Sequence, residues 1–198
     1  MSDKNDIDLS QYPRWSDFCI WRPSDDGIYI LRIGESGERR TFQAVRLNYE
    51  GKDTWMRCTG ENTIGDIIRI LKEDYEGDEK IIQEDVLKMV RDLQKGEYLI
   101  LEQSPNPARR QLDDRGCPRR IDDVIANVVE DNFVIMNMKT SEVHSFDKNV
   151  EHLWNICDGS RTIGEIISAA ADADDILFLL QLLIRIDLLE LRDRKTEA

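Results

Sequence analysis

The sequence repeats one unusual segment at a spacing of 99 residues. Residues 55–68 read WMRCTGENTIGDII, and residues 154–167 read WNICDGSRTIGEII. The two segments are identical at eight of fourteen positions without a gap. Chance does not explain a match of this length and order, so the chain contains two copies of one supersecondary unit. The duplication constrains the fold strongly, because a structure predicted for one copy must also suit the other.

Each copy begins with short β-prone runs. In the second copy, the runs FVIMNM and VHSF flank a polar KTSE turn, which is typical of a β-hairpin. The first copy has the same pattern with a longer GESGERR turn, and a further run precedes each hairpin. The predicted strands are 18–21, 28–33 and 41–47 in the first copy and 124–129, 133–138 and 143–146 in the second.

A short helix follows each hairpin and carries the repeated Trp and Cys. The spacing of three residues places Trp55 with Cys58, and Trp154 with Cys157, on one helical face, where burial is predicted. The glycine that follows in each copy ends the helix, because it adopts the left-handed conformation without steric cost. We interpret the repeated motif as an architectural corner between two helices.

Two further helices are predicted in each copy. The second helix opens with a capping box, seen at Thr162 and Glu165 and in weaker form in the first copy. The third helix of the first copy is amphipathic from Ile82 to Leu93. The last helix, 175–189, is apolar around nearly its whole circumference. We expect part of it to contact the first copy, a second subunit in a homodimer, or a partner.

The sequence therefore predicts an α+β chain of two tandem domains, each a three-stranded antiparallel sheet followed by three helices. The predicted boundaries are a flexible acidic N-terminus at 1–17, a first domain at 18–101, a linker at 102–120, a second domain at 121–191 and a flexible tail at 192–198.

The linker contains proline and is basic, whereas the protein as a whole is acidic. It either lies on the acidic surface of the protein itself or docks a partner. Its arginines are Arg109, Arg110, Arg115, Arg119 and Arg120.

Charge and hydropathy exclude several classes of function. The formal net charge is −13 and the pI is about 4.6, so a nucleic-acid backbone would be repelled. No apolar run reaches the roughly 18 to 20 residues that cross a bilayer. The N-terminus lacks the basic and then apolar pattern of a signal peptide. We expect a soluble, cytoplasmic protein.

No motif supports catalysis, a metal or another cofactor. The four cysteines form no CxxC pair, and reduced thiols are expected, with Cys117 alone in a polar, exposed stretch. His144 and His152 do not combine with Cys157 at a spacing suited to metal ligation. No phosphate-binding glycine loop is present. The protein is therefore expected not to be an enzyme.

The hairpin FVIMNMKTSEVHSF followed by LWNICDGSRTIGEII resembles the PqqD family of peptide chaperones, whose relatives are called RiPP recognition elements. The second copy resembles the family more closely than the first, in which Thr59 replaces the aspartate found at Asp158. The resemblance implies a winged-helix-like domain that binds a peptide and does no chemistry. It also implies that the peptide adds as a strand beside the third strand, in a cleft bounded by a helix, and is presented to a modifying enzyme, often a radical SAM enzyme.

Transferred to this sequence, the resemblance predicts a binding edge in each copy. The predicted contacts are Val143, His144, Ser145 and Phe146 on the second edge, Leu177, Leu180 and Ile184 on the last helix, and Phe42 and Val45 on the first edge. Proline at Ser145 would then abolish binding and leave the fold largely intact.

Two functional hypotheses follow. In the first, the protein is a non-catalytic adaptor that binds a partner segment by strand addition. In the second, it is an accessory or regulatory subunit that docks on a larger enzyme complex through the arginine-rich linker, the acidic N-terminus or the last helix, with redox regulation through cysteine.

Overall fold

The computed structural model describes residues 7–37, 39–108 and 112–193. The chain divides into two compact units, Met1–Arg109 and Arg110–Ala198, which we call unit 1 and unit 2. Within the described residues, both units have the element order β-β-β-β-α-α-α-β. The predicted α+β class is confirmed.

Unit 1 contains a three-stranded antiparallel sheet and a separate pair of short strands. The sheet has the order β2-β3-β4, and β1 pairs with β5. The elements are β1 (Tyr12–Trp15), β2 (Cys19–Ser24), β3 (Gly27–Ser36), β4 (Arg39–Leu47), α1 (Tyr49–Arg57), α2 (Ile64–Asp74), α3 (Glu79–Lys95) and β5 (Leu99–Glu102).

Unit 2 repeats this topology with shorter elements. Its sheet has the order β7-β8-β9, and β6 pairs with β10. The elements are β6 (Cys117–Arg120), β7 (Val124–Val129), β8 (Asn132–Asn137), β9 (Val143–Asp147), α4 (Val150–Ile156), α5 (Ile163–Ser168), α6 (Ala173–Arg185) and β10 (Leu189–Arg192).

Two segments that the sequence assigned to flexible or linking chain are strands. β1 lies inside the expected N-terminal tail 1–17, and β6 lies inside the expected linker 102–120. Both contain proline and charged residues and show no apolar alternation, so they carry no local strand signal. They form because each pairs antiparallel with the strand that ends its own unit.

Further parts of the expected linker are also structured. Leu112 belongs to the core of unit 2, and the Asn106 N–H donates to the Gly60 carbonyl at 2.9 Å. Cys117 was expected to be exposed but is fully buried, because β6 places it inside unit 2. Arg192, which was expected in the tail, ends β10, and residues 1–6 and 194–198 lie outside the described residues.

The repeated motif packs as its spacing predicted. Trp55, Cys58 and Cys157 are fully buried, and Trp154 is 5% exposed. The corner glycines Gly60 and Gly159 have φ of +80° and +86°, the left-handed conformation that glycine adopts without strain.

Both capping boxes are complete. Asp66 N donates to Thr63 Oγ1 at 3.0 Å, and Thr63 N donates to the Asp66 carboxylate at 3.2 Å. Thr162 and Glu165 make the same reciprocal pair. Each box satisfies two backbone N–H groups that the start of a helix would otherwise leave unbonded.

The apolar circumference of α6 is used within unit 2. Phe178, Leu180 and Leu183 are buried, and five further apolar side chains of the helix pack partly buried against the core of the unit. Those five are Ile176, Leu177, Leu179, Leu182 and Ile184. Among the described residues, no helix is both long and apolar enough to cross a membrane.

Substitution of Trp15 tests whether β1 contributes to the stability of unit 1. Its indole N–H donates to the Trp55 carbonyl at 2.8 Å, and its ring stacks on Trp55 at 6.0 Å. Trp15→Ala should lower the free energy of unfolding by about 3 kcal/mol, measured by urea denaturation of the full chain. Phe18→Ala is the control, because Phe18 is 54% exposed. Equal, small effects would mean that β1 does not contribute to the fold.

The buried cysteines should resist thiol reagents. Burial raises the pKa of Cys58 and of Cys157 to about 12, from an ordinary value of 9.0. Because the pKa of each thiol is raised from 9.0 to about 12, about a thousandfold less of it is ionised at pH 8 than in an exposed cysteine. Mass spectrometry of the labelled native chain should find both residues unmodified until urea is added; rapid native labelling would contradict the burial.

The same pKa values predict a loss of stability at alkaline pH. Above pH 9 the unfolded thiols ionise while the folded thiols do not, so the free energy of unfolding should fall as the pH rises from about 9 towards 12. Urea titrations of the wild type and of Cys58→Ala at several pH values measure this, and the variant should show the weaker dependence. An equal dependence in both would contradict the assignment to Cys58.

Candidate functional site

Strand β4 lies at one edge of its sheet, and the register shows which of its backbone groups face outward. Ile33 N donates to Phe18 O at 2.9 Å, so odd-numbered residues of β3 face β2. Even-numbered residues of β3 therefore bond to β4, as in the pair of Ile30 with Val45. The alternate residues of β4 direct their N–H and C=O groups away from the sheet. These are Phe42, Ala44 and Arg46.

Strand β9 has the corresponding position in unit 2. Asn137 N donates to Glu142 O at 2.9 Å, which fixes the same alternation. The backbone groups of Val143, Ser145 and Asp147 consequently face outward. β9 has five residues, whereas β4 has nine, so unit 1 offers the longer free edge.

A cleft of about 930 Å³ lies beside the free edge of β4, between this strand and α3. Its lining is largely apolar and comes from β4, α1, α2, α3 and the residue before β5. The apolar residues are Val45, Leu47, Leu71, Ile82, Val86, Met89, Leu93 and Tyr98. Charged residues of α1, α3 and the loop before α3 stand at its rim. An apolar cleft beside a free edge strand is the geometry in which an extended chain can add to a sheet.

Tyr75 also lines this cleft and is held by a neighbour. Its hydroxyl donates to the Asp53 carboxylate at 2.6 Å, and this hydrogen bond, with burial second, raises the pKa of Tyr75 to about 12. Because Asp53 belongs to α1 and Tyr75 follows α2, the bond joins the two helices. Asp53 also lies 3.9 Å from Arg57, which in turn contacts Asp74 at 2.7 Å.

The structure divides the predicted contact residues into several groups. His144 and Phe146 are half-buried, and their rings stack at 6.3 Å, whereas Val143 and Ser145 are exposed. Leu180 was predicted to line an open cleft but is fully buried in the core, so that assignment is wrong. The helical period alone could not show which side of an almost wholly apolar helix faces inward.

The remaining predicted residues are placed by the face of the helix or strand on which they lie. Leu177 and Ile184 are half-buried against the core of unit 2. In unit 1, Val45 lines the cleft. Phe42 does not line it, because it is 47% exposed on the opposite face of β4. Side chains alternate between the two faces of a strand, so these two residues lie on opposite faces. Predicting the edge as a range of residues did not distinguish the two faces.

Sequence reasoning missed the α3 wall of the cleft. Met89 and Ile82 lie there half-buried, beside the buried stripe of Val86, Val90 and Leu93. The sequence of α3 does show a broad apolar stripe, but such a stripe is equally typical of a helix that only packs on a core.

Unit 2 contains a different cavity, of about 530 Å³, between β6, β7 and α4. Two tryptophans fill the corresponding space in unit 1. Arg120 occupies the place of Trp15, since each donates its backbone N–H to the carbonyl of the corner cysteine. Ala126 occupies the strand position of Trp21, opposite an isoleucine of the central strand. The cavity therefore marks a difference between the two units.

The linker arginines that the structure describes have different surroundings. Arg119 is paired within unit 2, with Asp122 at 2.8 Å and Glu190 at 3.7 Å. Arg120 lines the cavity just described, and Arg115 is exposed. Arg109 and Arg110 lie outside the described residues.

The described residues contain no group of three or more His, Cys, Asp or Glu arranged to hold a metal. The cysteine sites also give no support to redox chemistry at the corner motif, because burial keeps both corner thiols protonated.

The segment that builds the cleft matches a known family. Residues 39–99, from the first residue of β4 to the first residue of β5, match the family model described as Coenzyme PQQ synthesis protein D (PqqD). The match lies in unit 1, although the sequence analysis ranked the second copy as the closer one. No curated protein and no solved structure matches the chain. The family comprises peptide-binding chaperones of PQQ synthesis, and under a third of this chain, the part that carries the cleft, is PqqD-like.

Proposed function

We propose that the protein is a non-catalytic adaptor that binds an extended segment of a partner along β4. The observation that carries this proposal is the coincidence of a free edge strand, an apolar cleft beside it and the PqqD match over the same residues. The partner segment would become a fourth strand of the sheet in unit 1.

Backbone bonding would supply part of the affinity. The outward N–H and C=O groups of Phe42, Ala44 and Arg46 are spaced two residues apart, which is the repeat of an added strand. β4 is nine residues long, which gives an edge of about 30 Å. Each backbone hydrogen bond stabilises the complex by about 1 kcal/mol net.

Side chains of the partner would supply the specificity. Alternate residues of an added strand point to the helical side of the sheet, where Val45, Leu47 and Met89 line the cleft. Each apolar side chain buried there contributes about 1.5 to 3 kcal/mol. Two or three such anchors, together with the backbone hydrogen bonds, would offset the entropic cost of association, which is large.

We further propose that both units are winged-helix-like PqqD domains that arose by tandem duplication. The shared element order, the equivalent corner hydrogen bonds and the repeated motif support this. Unit 1 is the binding unit in this proposal, because its edge is longer and carries the cleft. The bound segment would be presented to a modifying enzyme, such as a radical SAM enzyme, which performs the chemistry.

Proline substitution tests which edge is used. Ala44→Pro removes an outward N–H from β4 without breaking a bond to β3, so binding should fall at least tenfold while the fold persists. Ser145→Pro makes the same change on β9 and should leave affinity unchanged. Affinity is measured by fluorescence anisotropy with a peptide selected from a random display library. The reverse result would move the site to unit 2.

A charge placed in the cleft tests the side-chain contacts. Met89→Glu should weaken binding of the selected peptide by roughly ten- to a hundredfold, because it replaces one apolar contact with a carboxylate. Ile81→Glu is the matched control on the same helix, since Ile81 is 57% exposed and does not line the cleft. Circular dichroism confirms folding of both variants. Equal affinities would exclude the α3 wall from the site.

A further inference from the structure

The rim of the cleft carries an excess of negative charge. Four carboxylates and two cations line it, which gives a formal charge of −2. The carboxylates are Glu50, Glu76, Asp85 and Asp92, and the cations are Arg46 and Lys88. Their positions on α1, on the loop before α3 and along α3 surround the apolar floor.

These four carboxylates differ from their neighbours in how they are paired. Nearby, Asp74 contacts Arg57 at 2.7 Å, and Asp53 accepts from Tyr75. Within the part of the chain that the structure describes, none of the four rim carboxylates makes an ion pair. Arg46, one of the two cations, lies 3.8 Å from Asp26, so its charge is already partly compensated.

An occupant of the cleft would remove water from these carboxylates. Dehydrating an unpaired carboxylate is unfavourable unless a cation or hydrogen-bond donor replaces the water. A neutral occupant would leave this cost uncompensated, and an acidic occupant would add repulsion. A basic occupant would supply the missing partners and would also be attracted to a chain of net charge −13.

We propose that the cleft selects a basic extended peptide, in which lysine or arginine alternates with or flanks the apolar anchors. This inference rests on the proposed function, since it specifies the chemistry of the segment that adds to β4. The arginine and lysine side chains would lie against the rim carboxylates, and the apolar side chains would occupy the floor lined by Val45 and Met89.

The test is selection from a random peptide display library against the full chain. The expected result is enrichment of apolar residues together with lysine and arginine, and depletion of aspartate and glutamate. The affinity of an enriched peptide should fall at least threefold when the salt concentration is raised from about 50 to about 500 mM. Replacing its basic residues with glutamate should abolish detectable binding.

Two adjacent residues of α3 provide a matched pair of variants. Asp85 lines the cleft, whereas Glu84 points elsewhere and lies 3.8 Å from Lys80. Both Asp85→Asn and Glu84→Gln remove one negative charge from an exposed position of the same helix. Asp85→Asn should lower the affinity for the enriched peptide three- to tenfold, and Glu84→Gln should change this affinity less than twofold.

The outcomes separate this inference from the function on which it rests. Enrichment of apolar peptides without lysine or arginine, whose affinity is unchanged by Asp85→Asn, would overturn the proposed selection for basic peptides. The proposed peptide-binding function would then still stand. Equal weakening by both variants would also overturn it, since only the overall charge would then matter. If no peptide is enriched at all, the proposed function fails and this inference fails with it.

Discussion

Each unit depends on a short strand that joins its beginning to its end. In unit 1, the Trp15 N–H donates to Cys58 O, and Gly60 N donates to Pro13 O, so β1 holds the corner between α1 and α2. The same strand pairs with β5, which follows α3 directly. One strand thus fixes the α1 corner and the C-terminal end of α3. The position of α3, which forms one wall of the cleft, is thereby tied to β1.

This arrangement explains why the repeated motif is architectural. Its tryptophan and cysteine fill the core, its glycine turns the chain, and its threonine caps the next helix. The backbone contacts of the corner are the same in both units, including the carbonyl that accepts from Trp15 in one and from Arg120 in the other. The corner therefore fixes the backbone of the scaffold and places fewer demands on the neighbouring side chains.

The two units differ where the corner meets the sheet. Unit 1 packs Trp15 against Trp21 at 5.3 Å and against Trp55 at 6.0 Å. Unit 2 has Arg120 and Ala126 in place of the first two, and a cavity of about 530 Å³ lies there. The two units therefore share one backbone plan and present different surfaces.

Local sequence signals predicted the helices, their caps and the sheet hairpins, because periodicity and capping act over a few residues. β1 and β6 could not be predicted in this way, since their pairing partners lie at the far end of each unit. The same limit applied to the site. The sequence located the edge strands but misplaced Leu180, because side-chain direction depends on packing. The unpaired state of Asp85 and Asp92 was also invisible, since ion pairs form between elements that only the fold brings together.

A free edge strand is a hazard as well as a binding site, because it can pair with any extended chain. β4 presents its outward backbone groups over nine residues, and Arg39 and Arg46 leave exposed charges along it. The carboxylates of the adjoining cleft add charge of the opposite sign on the helical side. Pairing of β4 with a second β4 would bring like charges together on both sides of the new strand, which is unfavourable. The charges on β4 and around the cleft thus oppose pairing of this edge with a second copy of itself.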